Sequence, residues 1–163
     1  MSLGDEIIPI EFSDYVWHNN VELEIVPFDL YSTMHYLSGV TTQLTFFNDV
    51  TQLTNMYIPG MLPNPQSMLI EHIYIEGISS NLRHGECMLI VANKIYTHTA
   101  AWRFSLREKG WKLNPKLCIA PLVNFQFRIR WETPVYIRGL DDMYRPSKKI
   151  QVHLHGRLAR PVC

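Results

Sequence analysis

His153 and His155 stand one residue apart near the end of the sequence. In a β-strand, residues i and i+2 point to the same side, so two imidazoles at this spacing could grip one divalent metal. A metal-dependent enzyme would also need a nearby carboxylate and a further histidine from a later strand. The residues after His155 read GRLARPVC and supply neither. The positions that share a side with the pair, Gln151 and Arg157, are polar. The pair therefore reads as part of a polar sheet face turned to solvent or to a neighbour.

Other candidate chemistry is weaker. Asp141 and Asp142 follow Gly139 and are flanked by Arg138 and Arg145, a turn setting in which aspartate bonds nearby backbone amides. The eight glycines are scattered. They form no GxGxxG, no phosphate loop and no GxSxG elbow. Arg128 and Arg130 alternate with Phe125, Phe127 and Trp131, so cations and aromatics fall on opposite sides. A nucleic-acid surface wants them together for stacking. Arginine on a polar sheet face also suits subunit contacts. No residue is assigned a catalytic, cofactor-binding or metal role, no cofactor is expected, and the chain reads as other than an enzyme.

Composition bounds the rest. The 163 residues suit one domain with a core of its own. Hydrophobic residues make up 47% and charged residues only 18%, below the roughly 25% of an ordinary soluble protein, which favours a surface partly covered by partners. Fifteen basic and fifteen acidic residues cancel, and a general nucleic-acid binder would carry a basic excess. The balance is uneven: Asp5, Glu6, Glu11, Asp14, Glu22, Glu24 and Asp29 fall in the first thirty residues, with no Lys or Arg among them. Cys87, Cys118 and Cys163 are too few and too scattered for a disulfide scaffold. Cys87 and Cys118 lie in apolar runs and read as buried thiols. No apolar run reaches the ~20 residues of a membrane helix, and the acidic start lacks a signal peptide's basic region.

Alternation sets the fold. Val123, Phe125, Phe127, Ile129 and Trp131 form one period-two strand, and Ile150, Val152, Leu154, Gly156 and Leu158 another. Val21–Val26 alternates too, with Pro27 either ending it or marking an edge. Residues 40–47, Met68–Ile78 and Cys87–Ala92 are further strands. The mixed pattern of Met68–Ile78 predicts cover on both faces. Lys94–Thr99 and Ala101–Leu106 make one bent strand or two, and REKGWKLNP is a turn. Val50, Leu53 and Tyr57 stand at helical spacing, so a short helix or helical turn is expected near 48–57, capped by Asn48 or Asp49. IPGMLPNPQ is a long, stiff loop. Residues 1–20 read as an extended N-terminal arm and 21–163 as a single domain. The expected fold is all-β: a two-sheet antiparallel sandwich, a single jelly roll of about eight strands.

The segments TTQLTFFNDVTQLTNMYIPGMLP, MLIEHIYIEGI, VNFQFRIRWETPVYI and IQVHLHGRLARPV resemble the small single-jelly-roll capsid proteins of tailless icosahedral viruses. The nearest likeness is to membrane-containing bacteriophages such as the Thermus phages. It spans residues 40–160 and rests on strand order, the Pro-rich connection and the style of the closing strands. The resemblance implies a virion protein assembled in the host cytoplasm. It implies a homo-oligomer that packs side by side with a second capsid protein, in possible contact with an internal viral membrane. It brings no sequence-specific nucleic-acid site.

Two alternatives use the same sandwich. A carbohydrate-binding, lectin-like module would stack sugars on exposed tryptophans among Trp17, Trp102 and Trp111. Trp111 is the best placed for exposure, and Trp102 is expected in the core. A cupin-type metal enzyme would need His153 and His155 to meet His72, His98 or Glu71 in space.

Overall fold

The computed structural model describes residues 23–50, 53–105, 110–137 and 147–161. The N-terminal arm, Trp17, Asp141, Asp142 and Cys163 lie outside the described residues. Eight strands follow in order: β1 (Leu23–Leu37), β2 (Gln43–Phe46), β3 (Ser67–Glu76), β4 (Glu86–Val91), β5 (Lys94–Ala100), β6 (Trp111–Ile119), β7 (Phe125–Arg130) and β8 (Ser147–Pro161). They form a front sheet, ordered β1-β8-β3-β6, and a back sheet, ordered β2-β7-β4-β5.

The pairing explains that order. β1 pairs with β8, β2 with β7, β3 with β6 and β4 with β5, all antiparallel. The chain is thus one long antiparallel ribbon folded back on itself. Wrapping that ribbon brings β3 against β8 and β4 against β7, which closes the two sheets. This is the single jelly roll expected from the alternation. Connections 38–42 and 77–85 and the described stretches 101–105 and 131–137 gather at one end of the sandwich. Connections 47–66, 92–93 and 120–124 gather at the other.

The interior is filled by the inward-facing half of each alternating strand. Phe46, Phe47, Phe104, Phe125, Phe127, Ile150, Val152 and Leu154 are fully buried in one cluster. The rings meet edge-on: Phe104 and Phe127 centroids lie 5.5 Å apart at 83°, Tyr36 and Trp131 4.7 Å apart at 75°. Each such side chain contributes about 1.5–3 kcal/mol by leaving water, and edge-on pairs add roughly 0.5–1.5 kcal/mol.

Three expectations are corrected. Residues 48–57 hold no helical turn among those described. Thr54 bridges to Ser32 instead, and Thr54 Oγ1 donates to the Tyr31 carbonyl at 2.6 Å. Asn55 Nδ2 donates to the Asp29 carbonyl, and the Tyr31 amide donates to Asn55 Oδ1, each at 2.8 Å. Those polar side chains satisfy the open edge of β1, a return that a helix would forgo. Ala101–Phe104 is a 3-10 turn and not strand, so β5 ends at Ala100. The stretch read as a turn carries β6, which passes straight through Pro115.

Both strand prolines sit where a ladder tolerates them. Pro27 lies inside β1 and Pro115 inside β6, and these are the two edges of the front sheet. The edge reading of Pro27 is the one that holds.

Candidate functional site

The outward half of the front sheet is where the titratable side chains collect. β8 presents Gln151, His153, His155 and Arg157 between the core residues Val152, Leu154 and Leu158. Register then sets their neighbours. His153 stands between Tyr31 of β1 and Tyr74 of β3, and His155 stands between Asp29 and His72. Four of the chain's seven histidines, His35, His72, His153 and His155, occupy this face.

A bulge in β3 shapes the surface. Ile70 pairs with Gly156 and His72 with His155, so Glu71 has no partner position on β8. The extra residue turns both Glu71 and His72 outward and returns Ile73 to the core. Glu71 then sits between two cations: Lys116 Nζ at 3.4 Å and Arg157 Nε at 3.3 Å. The bulge also demands glycine at 156. A Cβ there would stand 1.8 Å from the Leu69 carbonyl oxygen.

Next to it lies a chain of polar and aromatic groups. His153 Nδ1 donates to Asp29 Oδ2 at 2.7 Å. His153 Nε2 is buried, without a hydrogen-bond partner among the described residues, and lies 3.7 Å from Glu76 Oε2. The Tyr31 ring is 6.0 Å from His153. Tyr74 stacks on His72 at 6.0 Å and meets His155 edge-on at 6.3 Å. Partial burial lowers the His72 pKa below its ordinary 6.5, and the neighbouring His155 lowers it further.

The structure thus places His153 and His155 on the polar outer face, as the alternation implied. His72 does meet His155. His98 belongs to the back sheet, where it pairs with Glu86, and Glu71 is held by its two cations. Among the described residues no group of three or more His, Cys, Asp or Glu is arranged to hold a metal ion. A metal held inside the roll would need inward ligands, and the inward positions of β8 are apolar. The partners of the histidines, Asp29, Tyr31, Glu76 and Tyr74, were not readable in sequence, since only the register brings them together.

The tryptophans stand differently from expectation. Trp111 is half-buried against the core, with its ring 5.8 Å from Phe104, so it offers no open platform. Trp102 is also half-buried, with the guanidinium of Arg103 4.9 Å and that of Arg83 5.9 Å from its ring. Cys87 is buried, and burial pushes its thiol far above the ordinary range, which makes it inert. Cys118 is half-buried.

The back sheet's outer face is plainer. Arg128 and Arg130 face outward, opposite the buried Phe125, Phe127 and Ile129. Arg130 Nη2 lies 3.7 Å from Glu86 Oε1, an exposed pair.

No family model and no curated protein matches the chain. Among solved structures, it is similar to the Drosophila NLP core, described for its pentamer formation and histone binding. The two share 9% identity over 78% of this chain and 97% of that one, with a TM-score of 0.30. At that TM-score the likeness decides nothing about this chain.

Proposed function

We propose that this chain is a structural building block: a capsid-type subunit that packs against copies of itself, and against a second shell protein, to build an icosahedral shell. The observation that carries the reading is the outer face of the front sheet. It runs the length of two fifteen-residue strands and presents Tyr31 and Tyr74 on either side of a polar chain paired within itself except at His153 Nε2. Tyrosine is enriched where protein surfaces meet, and polar groups that satisfy each other cost little to cover. The buried, unpaired Nε2 of His153 leaves one polar atom for a partner to satisfy.

Apolar surface at the sandwich ends supports the same reading. Val40 and Tyr136 are exposed at one end, and Leu53, Tyr57 and Leu122 at the other. The resemblance to single-jelly-roll shell proteins supplies the kind of assembly, and the jelly roll itself is shared by many functions.

Light scattering over a concentration series, followed by electron microscopy of the concentrated sample, tests the reading. Discrete oligomers or ordered arrays are the expected result. A chain that remains monomeric throughout contradicts it.

A further inference from the structure

Each sheet has two edge strands, and three of the four are poorly suited to take a further strand. β1 carries Pro27, and its outer side is bonded by Thr54 and Asn55. β6 carries Pro115, which has no amide hydrogen to give. β2 is only four residues long. β5 differs from all three. It ends the back sheet with seven residues, Lys94–Ala100, and no proline. Among the described residues no strand pairs with its outer side. An open edge of that kind is a template for another strand.

The residues of β5 suit one particular strand, a copy of itself. Ile95 and Tyr96 are 57% and 49% exposed. Tyr96 has no partner position on β4, because Leu89 faces Thr97 and Ile90 faces Ile95. Thr97 is only 5% exposed, yet its hydroxyl has no hydrogen-bond partner among the described residues. Thr97 lines a cleft of about 500 Å³ between β5 and β6, with Trp111, Leu113 and Leu117 on the far wall. A buried hydroxyl without a partner costs about 1–3 kcal/mol, so this edge favours a neighbour that brings one. An antiparallel copy of β5 centred on Thr97 does so. It sets Thr97 against Thr97, and a turn about χ1 lets the two hydroxyls bond each other. It sets Tyr96 against His98, Ile95 against Thr99 and Lys94 against Ala100. Lys94 is the one residue of β5 with a fixed charge, so no like charges meet.

We infer that β5 pairs antiparallel with β5 of a second copy, about a two-fold axis at Thr97, and joins two back sheets into one. The contact lies at the side of the sandwich, away from the outer face of the front sheet. It stands whether or not the chain builds a shell.

Two experiments test it. Cys118→Ser with Cys163→Ser leaves the buried Cys87 as the native thiol. In that chain, oxidised glutathione should join two copies through Thr97→Cys at least about tenfold faster than through Lys94→Cys, although position 94 is the more exposed. Directly opposed strand residues come within reach of a disulfide, while the two copies of position 94 lie a strand's length apart. Equal rates, or faster joining at position 94, overturn the inference. The second experiment is sedimentation equilibrium of the chain carrying Tyr31→Ser and Tyr74→Ser. With the front face disabled, pairs joined at β5 should remain. Adding Ile95→Lys, a charge on the open edge, should weaken those pairs at least about tenfold. Pairs that Ile95→Lys leaves intact overturn the inference. A front-face variant that is monomeric at every concentration also overturns it, and leaves the front-face contact standing. If Ile95→Lys lowers the denaturation midpoint, the thiol experiment decides.

Discussion

The two sheets share a core but differ on their outer faces. The front sheet's strands run 15, 15, 10 and 9 residues, and its outer face joins histidines, tyrosines and carboxylates across three strands. The back sheet's strands run only 4 to 7 residues, and its outer face gathers His98 and Arg130 on Glu86, all three side chains exposed. Both faces are polar by alternation, so polarity does not separate them. What separates them is burial: the paired groups of the front face are largely withdrawn from water and those of the back face stand in it. Strand length and the β3 bulge let side chains on the front sheet reach partners on neighbouring strands, and part of that face is already withdrawn from water. A face of that kind can be covered by a partner at small polar cost, and the back face is arranged for water.

The largest effect should come from the residue that lets the front face form. Gly156→Ala drives a Cβ into the Leu69 carbonyl oxygen. The clash is with backbone, so β3 and β8 must separate locally. A loss of about 3 kcal/mol or more is expected in chemical denaturation. A loss under about 0.5 kcal/mol would show that the bulge yields freely, and the connected front face would lose its structural basis.

A smaller contrast separates the faces directly. Asp29→Asn removes the charge accepting from His153 and should cost about 1 kcal/mol, since Asp29 is itself partly exposed. Arg130→Ala breaks an exposed pair on the back face and should change stability by no more than about 0.5 kcal/mol. Equal costs would erase the distinction.

The smallest effect is a pH dependence. The His72 pKa is lowered by folding, so below the unfolded value of 6.5 the unfolded chain binds a proton that the folded chain resists. Stability from this source is complete above pH 6.5 and falls as pH drops from there toward the lowered pKa. His72→Gln should flatten that part of a stability-versus-pH curve. An unchanged curve would remove His72 as its source.

Much of the fold was legible because two strands alternate without interruption. Phe125–Arg130 and Ile150–Leu158 each place one side in the core, and period two leaves little choice of face. The back half of β1 was harder. Pro27 reads as a stop, and only the edge position of β1 lets the strand continue to Leu37. β6 was hidden by Gly110 and Asn114-Pro115, which signal turns in any local reading. The helical spacing of Val50, Leu53 and Tyr57 misled because Thr54 and Asn55 bond to a strand more than twenty residues away. The polar placement of His153 and His155 was visible from their neighbours on β8. His72 was one of three partners left open, and Asp29, Tyr31, Glu76 and Tyr74 were not visible, because register over such distances leaves no local trace. The mixed pattern of Met68–Ile78 reflects the bulge that turns both Glu71 and His72 outward, and cover on the outer face reaches only its first part: Leu69 is fully buried, while Tyr74 is half-buried and Glu76 exposed.

The most direct test of the contact-face account compares two double variants by sedimentation equilibrium. Tyr31→Ser with Tyr74→Ser strips the aromatic groups from the front face, and Arg128→Ser with Arg130→Ser strips the cations from the back. The front variant should weaken self-association at least about tenfold, roughly 1.4 kcal/mol, with the back variant near the parent chain. Association that survives the front substitutions and is lost with the back ones would contradict the account.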